Sequence, residues 1–97
     1  MNIQAMMAQA RKLQKELEKT TSEIESSTYN YENDNILVEC LGNNEIKKIK
    51  IKNEDILGDS EMLEDVILVA INNVLTQIAN DKEKKLGKYT NGLGGLF

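Results

Sequence analysis

Residues 3–24 read IQAMMAQARKLQKELEKTTSEI and carry the periodicity that decides the fold. Their apolar positions alternate three-residue and four-residue steps, which is the a/d pattern of a coiled-coil seam. The predicted seam consists of Ile3, Met6, Ala10, Leu13, Leu17 and Ile24, with the polar Thr20 at the remaining a/d position. The pattern predicts a long N-terminal helix that packs along this seam, either on its own domain or on a partner helix.

A helix over residues 2–26 is too long for a compact domain of this size. At 1.5 Å per residue it would measure about 37 Å. A compact chain of this length would have a diameter of roughly 32 Å. We therefore expect the helix to protrude from the body as an arm.

After this helix, the sequence predicts three short strands in an antiparallel meander. The predicted runs are 28–32, 36–41 and 45–52, and they are separated by Asn33-Asp34-Asn35 and Gly42-Asn43-Asn44. Asn, Asp and Gly tolerate the left-handed backbone conformations that tight hairpins need. Residues 36–38 are apolar on both faces, as expected of a central strand.

The third predicted strand contains an irregularity. Ile49 and Ile51 share one face, but Ile46 falls out of the two-residue period. A bulge inserts one extra residue into a strand and would restore the period. We therefore expect a bulge near Lys47-Lys48.

The last predicted element is a second long helix, capped by Asp59 or Ser60 and running to about Leu86. Its apolar residues recur every four positions, so the apolar stripe drifts about 40° per step around the helix axis. The two ends of the helix should therefore face different neighbours. Gly87 is expected to end the helix. The sequence thus predicts an α+β protein, with one domain over 1–86 and a flexible Gly-rich tail over 87–97.

The residue content argues against an enzyme. The chain has no histidine, which removes the commonest general base and the commonest transition-metal ligand. Cys40 lies in a predicted strand and is interpreted as an inert core thiol. The glycines of residues 92–95 lack the spacing of a phosphate-binding loop. No cofactor, metal site or small-molecule substrate is expected.

The sequence gives little indication of a signal peptide or of a membrane-spanning segment. The N-terminal apolar residues are interrupted by Gln4, Gln9 and Arg11, so they form no signal-peptide core. We expect no apolar run that approaches the ~20 residues of a membrane span. A cytoplasmic protein without a membrane partner is the resulting expectation.

The net charge of −4 conceals an uneven distribution of charge. Residues 1–19 and 81–97 together carry eight cations and four acids, whereas residues 20–80 carry four cations and twelve acids. The cations of the two ends are Arg11, Lys12, Lys15, Lys19, Lys82, Lys84, Lys85 and Lys88. They either contact nucleic-acid phosphates, or form a solvated helix face and complement a helix dipole. Spacing alone leaves the choice open.

Two further groups of side chains have simpler interpretations. Lys48, Lys50 and Lys52 alternate on one strand face, where cations protect a sheet edge from aggregation. Tyr29 and Tyr31 also share a strand face. Tyrosines in this position pack against a helix more often than they stack on bases.

Three stretches resemble the YbaB/EbfC family of bacterial nucleoid-associated proteins. They are MAQARKLQK at 7–15, IKIKNEDIL at 49–57 and DSEMLEDV at 59–66, and the order of helix, meander and helix extends the likeness over nearly the whole chain. Asn53-Glu54 stands where the family commonly has Asp-Pro, a departure that concerns the local turn and not the fold.

The resemblance implies a tweezer-like homodimer, in which paired sheets form the body and helical arms project from it. It implies binding of duplex DNA on the bacterial nucleoid with little or modest sequence preference, and a role in gene expression. The basic arm residues would then be the DNA contacts. The alternative is a protein-binding coiled-coil module or prefoldin-like chaperone, whose apolar arm tips, including Ile3, Met6, Met7 and Leu86, would grip unfolded chains.

Overall fold

Two long helices flank a three-stranded sheet in a computed structural model that describes residues 2–93. The elements are α1 (Ile3–Ser26), β1 (Thr28–Glu32), β2 (Ile36–Leu41), β3 (Ile46–Ile51), a short 3-10 helix (Glu54–Gly58) and α2 (Ser60–Leu93). The strands form one antiparallel sheet in the order β1-β2-β3. The predicted α+β class and the order of helix, meander and helix are confirmed.

The molecule is elongated and measures 69 × 21 × 15 Å along its principal axes. Its radius of gyration is 19.4 Å, whereas a compact chain of this length would have about 12.5 Å. Every described side chain up to Glu16 of α1 is exposed, and Ile24 is the buried residue of that helix. The expectation that the N-terminal helix protrudes is confirmed.

Strand β2 is central, and the side chains on one of its faces form the core with α2. The core cluster consists of Ile36, Val38 and Cys40 from β2 and Ala70, Val74 and Ile78 from α2. The three α2 residues step by four, so the buried face of the helix drifts around its axis as predicted. Burial raises the pKa of the Cys40 thiol, which disfavours the nucleophilic thiolate.

The predicted bulge in β3 is confirmed at Lys47. Glu39 of β2 pairs with Lys48, and the next residue, Cys40, pairs with Ile46, so Lys47 has no partner on β2. The extra residue brings Ile46 onto the sheet face that packs on α2.

The first hairpin turn depends on an asparagine side chain. Asn33 Oδ1 accepts hydrogen bonds from the amides of Asn35, at 2.8 Å, and Ile36, at 3.0 Å. Such a side-chain turn reproduces the geometry of a backbone turn. The second turn uses a left-handed residue instead, because Asn44 has a φ of 69°. Both turns are formed by asparagines as predicted, but the expected left-handed conformation is seen only at Asn44, and the first turn depends on the Asn33 side chain instead.

Gly42 serves the second turn by its small size rather than by its backbone freedom. None of the described glycines has a positive φ. The Gly42 amide donates to the carbonyl oxygen of Ser27 at 3.0 Å. A Cβ at this position would lie 1.8 Å from the carbonyl oxygen of Ile24. Gly42 therefore permits the end of α1 to cross the β2–β3 turn at backbone contact distance.

Side-chain caps lead the chain from β3 into α2. Asn53 accepts a hydrogen bond from the Asp55 amide at 3.1 Å and opens the short 3-10 helix. Asp59 Oδ1 accepts from the Met62 amide at 3.1 Å and caps α2. Of the two predicted caps, Asp59 is the one that forms this bond.

The prediction that Gly87 ends the second helix is wrong, because α2 continues through Leu93. A glycine inside a helix costs only about 1 kcal/mol relative to alanine, which a helix already packed against other elements tolerates. Residues 88–93 of the predicted tail are helical, and 94–97 lie outside the described residues. A domain boundary at residue 86 stays a prediction.

Gly87→Ala is expected to stabilise the protein by about 0.5–1 kcal/mol. An added Cβ would meet no atom of residues 2–93 within 4 Å, so the substitution removes backbone freedom from the unfolded chain without a clash. Urea unfolding followed by circular dichroism measures the change. A loss of stability would show that α2 does not pass through this residue in solution.

Helix α2 is more apolar than we expected when we predicted no run near the length of a membrane span. Its stretch Ser60–Tyr89 is long and apolar enough, by length and composition, to cross a bilayer, and 17% of the most apolar window is buried in the chain. The expectation of no near-spanning run is therefore wrong. The drifting stripe explains it, because a stripe that rotates makes several faces of the helix apolar. Leu68 and Val69 are 59% and 55% exposed on the faces that the sheet leaves bare.

Candidate nucleic-acid interface

The cations of α1 form one face of the exposed arm. They are Arg11, Lys12, Lys15 and Lys19, and all four side chains are exposed. At about 100° per residue they fall within an arc of about 100°, centred roughly opposite the apolar seam. None of them forms an ion pair with another described residue. This basic face is available to an anionic partner without disturbing the seam.

The seam of α1 is covered only at its base. Ile24 is buried, Leu17 is half-buried, and α1 contacts α2. The N-terminal part of the seam is bare. Its residues are Ile3, Met6, Ala10 and Leu13. The predicted seam therefore packs within the chain at one end and presents an uncovered apolar strip at the other.

Helix α2 leaves the sheet between Gln77 and Asp81. Gln77 Nε2 donates to the carbonyl oxygen of Asn30 in β1 at 2.8 Å. The Tyr29 hydroxyl donates a short hydrogen bond to Asp81 Oδ2. Leu93 lies twelve residues further along the helix, about 18 Å beyond Asp81. The second group of predicted site residues, Lys82, Lys84, Lys85 and Lys88, lies on this extension.

The α2 cations differ from those of α1 because most of them have contacts within the chain. Lys85 Nζ lies 3.0 Å from Asp81 Oδ2. Lys88 Nζ lies 5.0 Å from the centre of the Tyr89 ring, within cation–π range. Lys82 is half-buried, and Lys84 is exposed. The structure thus brings the eight predicted cations together as two groups, of which the α1 group is the more accessible.

Tyr29 and Asp81 perturb one another. Burial, followed by the hydrogen bond to Asp81, raises the pKa of Tyr29 to about 12. The same hydrogen bond, followed by the one from Lys85, lowers the pKa of Asp81. Tyr29 and Tyr31 both pack against the core cluster, so the interpretation that they pack on a helix is confirmed. The hydroxyl of Tyr31 accepts a hydrogen bond from Asn33.

Lys48 in β3 and Lys52 just after it both lie beside acids of the sheet. Lys52 Nζ lies 2.8 Å from Glu32 Oε2 and lowers the pKa of that carboxyl. Lys48 stands directly opposite Glu39 in the β2–β3 register. Charges on the body are therefore partly balanced locally, which favours the structural interpretation of these lysines.

A shallow groove lies between α2 and the β2–β3 turn. Its lining is mostly apolar, with Lys82 as its one cation. The lining residues are Asn44, Ile46, Ile71, Leu75, Ile78, Ala79 and Lys82. None of the described lining residues carries a carboxylate or a thiol, so these residues do not pair an acid with a base.

Sequence reasoning missed the contact between Tyr29, Asp81 and Lys85. In the sequence, Asp81 stood out only as one of the acids among the cations of residues 81–97. Tyr29 precedes Asp81 by 52 residues, and no local pattern indicates that β1 meets α2 there. The spacing of Asp81 and Lys85, which is four residues on one helix, was the only available signal.

The chain matches a known protein family and is similar to proteins of similar length. A model of the YbaB/EbfC DNA-binding family matches residues 1–93. A nucleoid-associated protein of Lactococcus lactis subsp. cremoris MG1363 is 40% identical over 97 residues, which cover 96% of this chain and 97% of the relative. A nucleoid-associated protein of Enterococcus faecalis V583 is 37% identical over 99 residues, which cover 98% and 94%.

The fold also matches a solved structure. The crystal structure of an uncharacterized Helicobacter pylori protein has a TM-score of 0.68 to this chain, with 15% sequence identity. The match covers 87% of this chain and 91% of the other. At this identity the likeness concerns the fold alone.

Proposed function

The chain belongs to the YbaB/EbfC DNA-binding family, and on this premise we propose that it is a nucleoid-associated protein that binds duplex DNA through the basic face of α1. The observation that carries the proposal is the exposure of Arg11, Lys12, Lys15 and Lys19 on one side of a protruding helix. Phosphate contacts by such cations supply most of the affinity in non-specific DNA binding.

The proposed contacts favour binding with little sequence preference. Arginine and lysine contacts to phosphates position a protein on the duplex but carry no sequence information. The body between the arms carries four cations against twelve acids over residues 20–80. Because like charges repel, DNA is expected to lie against the arms and away from the sheet. On α2, the exposed Lys84 and Lys88 would extend the same surface.

We further propose that the protein acts as a homodimer. Uncovered apolar surface supports this, because large exposed apolar patches mark sites of association. One such surface is the bare seam of α1, where Ile3 and Met6 are 71% and 52% exposed. Another is the outer side of α2, including Leu68 and Val69. Pairing would give two basic arms to one duplex, in association with the nucleoid in the cytoplasm.

The salt dependence of DNA binding tests both the contacts and the dimer. Each neutralised phosphate contributes a slope of about −0.9 to log K against log salt. Four arm cations per chain in a dimer predict a slope near −7, and a single chain predicts about −3.6. Fluorescence anisotropy with a labelled duplex at several salt concentrations gives the slope, and sedimentation gives the number of chains. Absence of binding at 50 mM salt would overturn the proposal.

A second candidate function, a prefoldin-like grip on unfolded chains, is favoured by the bare tip of α1. Ile3, Met6 and Met7 are 71%, 52% and 54% exposed, whereas Leu86 is half-buried and does not lie on a bare tip. Apolar capture persists in high salt, unlike phosphate contact. Suppression of aggregation of a denatured test protein in 0.5 M salt, without DNA binding in low salt, would favour this candidate.

A further inference from the structure

Asp81 receives hydrogen bonds from two different elements at the point where α2 leaves the sheet. The hydroxyl of Tyr29 approaches from β1, and Lys85 Nζ approaches from one turn further along α2, at 3.0 Å. Both bonds end on Asp81 Oδ2. The Asp81 side chain is 23% exposed, and that of Lys85 is 49% exposed. The carboxylate thus connects the sheet to the first basic turn of the α2 extension.

The contact with Tyr29 changes the strength of the Asp81–Lys85 pair. An exposed pair at i and i+4 contributes only about 0.3–0.5 kcal/mol, partly because both side chains lose freedom when they meet. Here the carboxylate is already held by a tyrosine that packs against the core. Only the lysine must be ordered when the pair forms. Lys85, although exposed, is therefore held more firmly than Lys84, which forms no ion pair with another described residue.

We infer that Asp81 is a positioning residue of the DNA-binding arm, because with Tyr29 it holds Lys85 at the base of the α2 extension and away from DNA phosphates. This inference rests on the proposed function. Of the eight cations on the two ends of the chain, Lys85 would then be withheld from DNA by the fold itself. Neutralising Asp81 releases it and adds one phosphate contact per chain.

Asp81→Asn tests the inference, because asparagine still accepts a hydrogen bond from Tyr29 but no longer attracts the lysine. One additional contact per chain steepens the salt slope of a dimer by about 1.8. Affinity at 0.1 M salt should rise at least about threefold. The gain should vanish when Lys85→Gln is already present, because no lysine remains to be released.

Asp65→Asn is the matched control. Asp65 is an exposed acid of the same helix, forms no ion pair among the described residues, and its substitution changes the net charge equally. It should leave the slope unchanged and alter affinity less than twofold. An equal gain from Asp65→Asn, or a gain from Asp81→Asn that persists with Lys85→Gln, would overturn the inference.

A measurement without DNA separates this inference from the proposed function. In a Tyr31→Phe/Tyr89→Phe background, the ultraviolet absorbance of phenolate reports Tyr29 alone. Asp81→Ala removes both the hydrogen-bond acceptor and the charge, so it should lower the pKa of Tyr29 from about 12 towards the ordinary value of about 10, although burial keeps it above that value. An unchanged pKa shows that Asp81 does not hold Tyr29 and refutes the contact itself. Failure of the native protein to bind DNA, with the pKa shift present, refutes the proposed function and the masking role while leaving the contact established.

Discussion

Lys12→Glu/Lys15→Glu is expected to weaken binding of duplex DNA by at least about a thousandfold at 0.1 M salt. Both lysines are exposed on the arm and lie on the basic face. A dimer with this change loses four of eight arm contacts, and its salt slope should fall from about −7 to about −3.6. The four introduced acids also repel the phosphates. Anisotropy titrations at several salt concentrations measure both effects.

Lys48→Glu/Lys50→Glu makes the same change of charge on the outer face of β3. Both lysines are exposed, and each stands opposite a residue of β2 in the sheet. Charges beyond the Debye length of about 10 Å at 0.1 M salt are largely screened, so binding should weaken less than about tenfold. An equal loss in the two variants would show that affinity follows net charge and not the arm surface. Circular dichroism confirms that both variants remain folded.

The strands were predictable because their signals are local. Short runs of strand-forming residues, bounded by turns rich in asparagine, predicted the limits of β1 and β2 without error, and the mismatch of Ile46 predicted the bulge. The end of α2 was not predictable in the same way. A glycine weakens a helix by about 1 kcal/mol, and whether Gly87 stops it depends on the neighbours that the chain brings to its last turns.

In the candidate site, too, the features that depend on local sequence were predictable, and those that depend on tertiary contacts were not. The accessibility of Lys12 and Lys15 follows from helix periodicity, because a helix with an apolar seam directs its opposite face to solvent. Helix periodicity does not predict in the same way which lysines of the α2 extension are accessible. Lys85 is engaged because Tyr29, far away in the sequence, fixes Asp81 beside it. Counting charges along the sequence does not show which lysines form ion pairs within the chain and which do not.

Gly42 also shows why a correct residue type does not establish its role. The sequence suggested glycine for a left-handed turn, but the left-handed position belongs to Asn44. The need at Gly42 is for space, because the carbonyl oxygen of Ile24 occupies the place of a side chain. Close approach of two backbone segments is a tertiary fact that no local pattern contains.

Gly42→Ala is therefore expected to destabilise the protein by about 3 kcal/mol or more. The added methyl group would lie 1.8 Å from the Ile24 carbonyl oxygen and 2.6 Å from its carbon. These are backbone atoms at the end of α1, so no side-chain rotation relieves the clash. Either α1 separates from the turn, which exposes the buried Ile24, or the β2–β3 hairpin distorts. Domains of this size are stable by only about 5–15 kcal/mol, so the loss is a large fraction of the total.

Gly58→Ala is the control for this prediction, because a Cβ there would meet no atom within 4 Å in the part of the chain that the structure describes. Urea unfolding of the two variants compares the same chemical change with and without a backbone neighbour. Gly58→Ala should change the free energy of unfolding by less than about 1 kcal/mol. A comparably small effect at Gly42 would contradict the close crossing of α1 and the turn. Because that crossing sets where α1 leaves the body, it also sets the direction in which the arm presents the cations that we propose as DNA contacts.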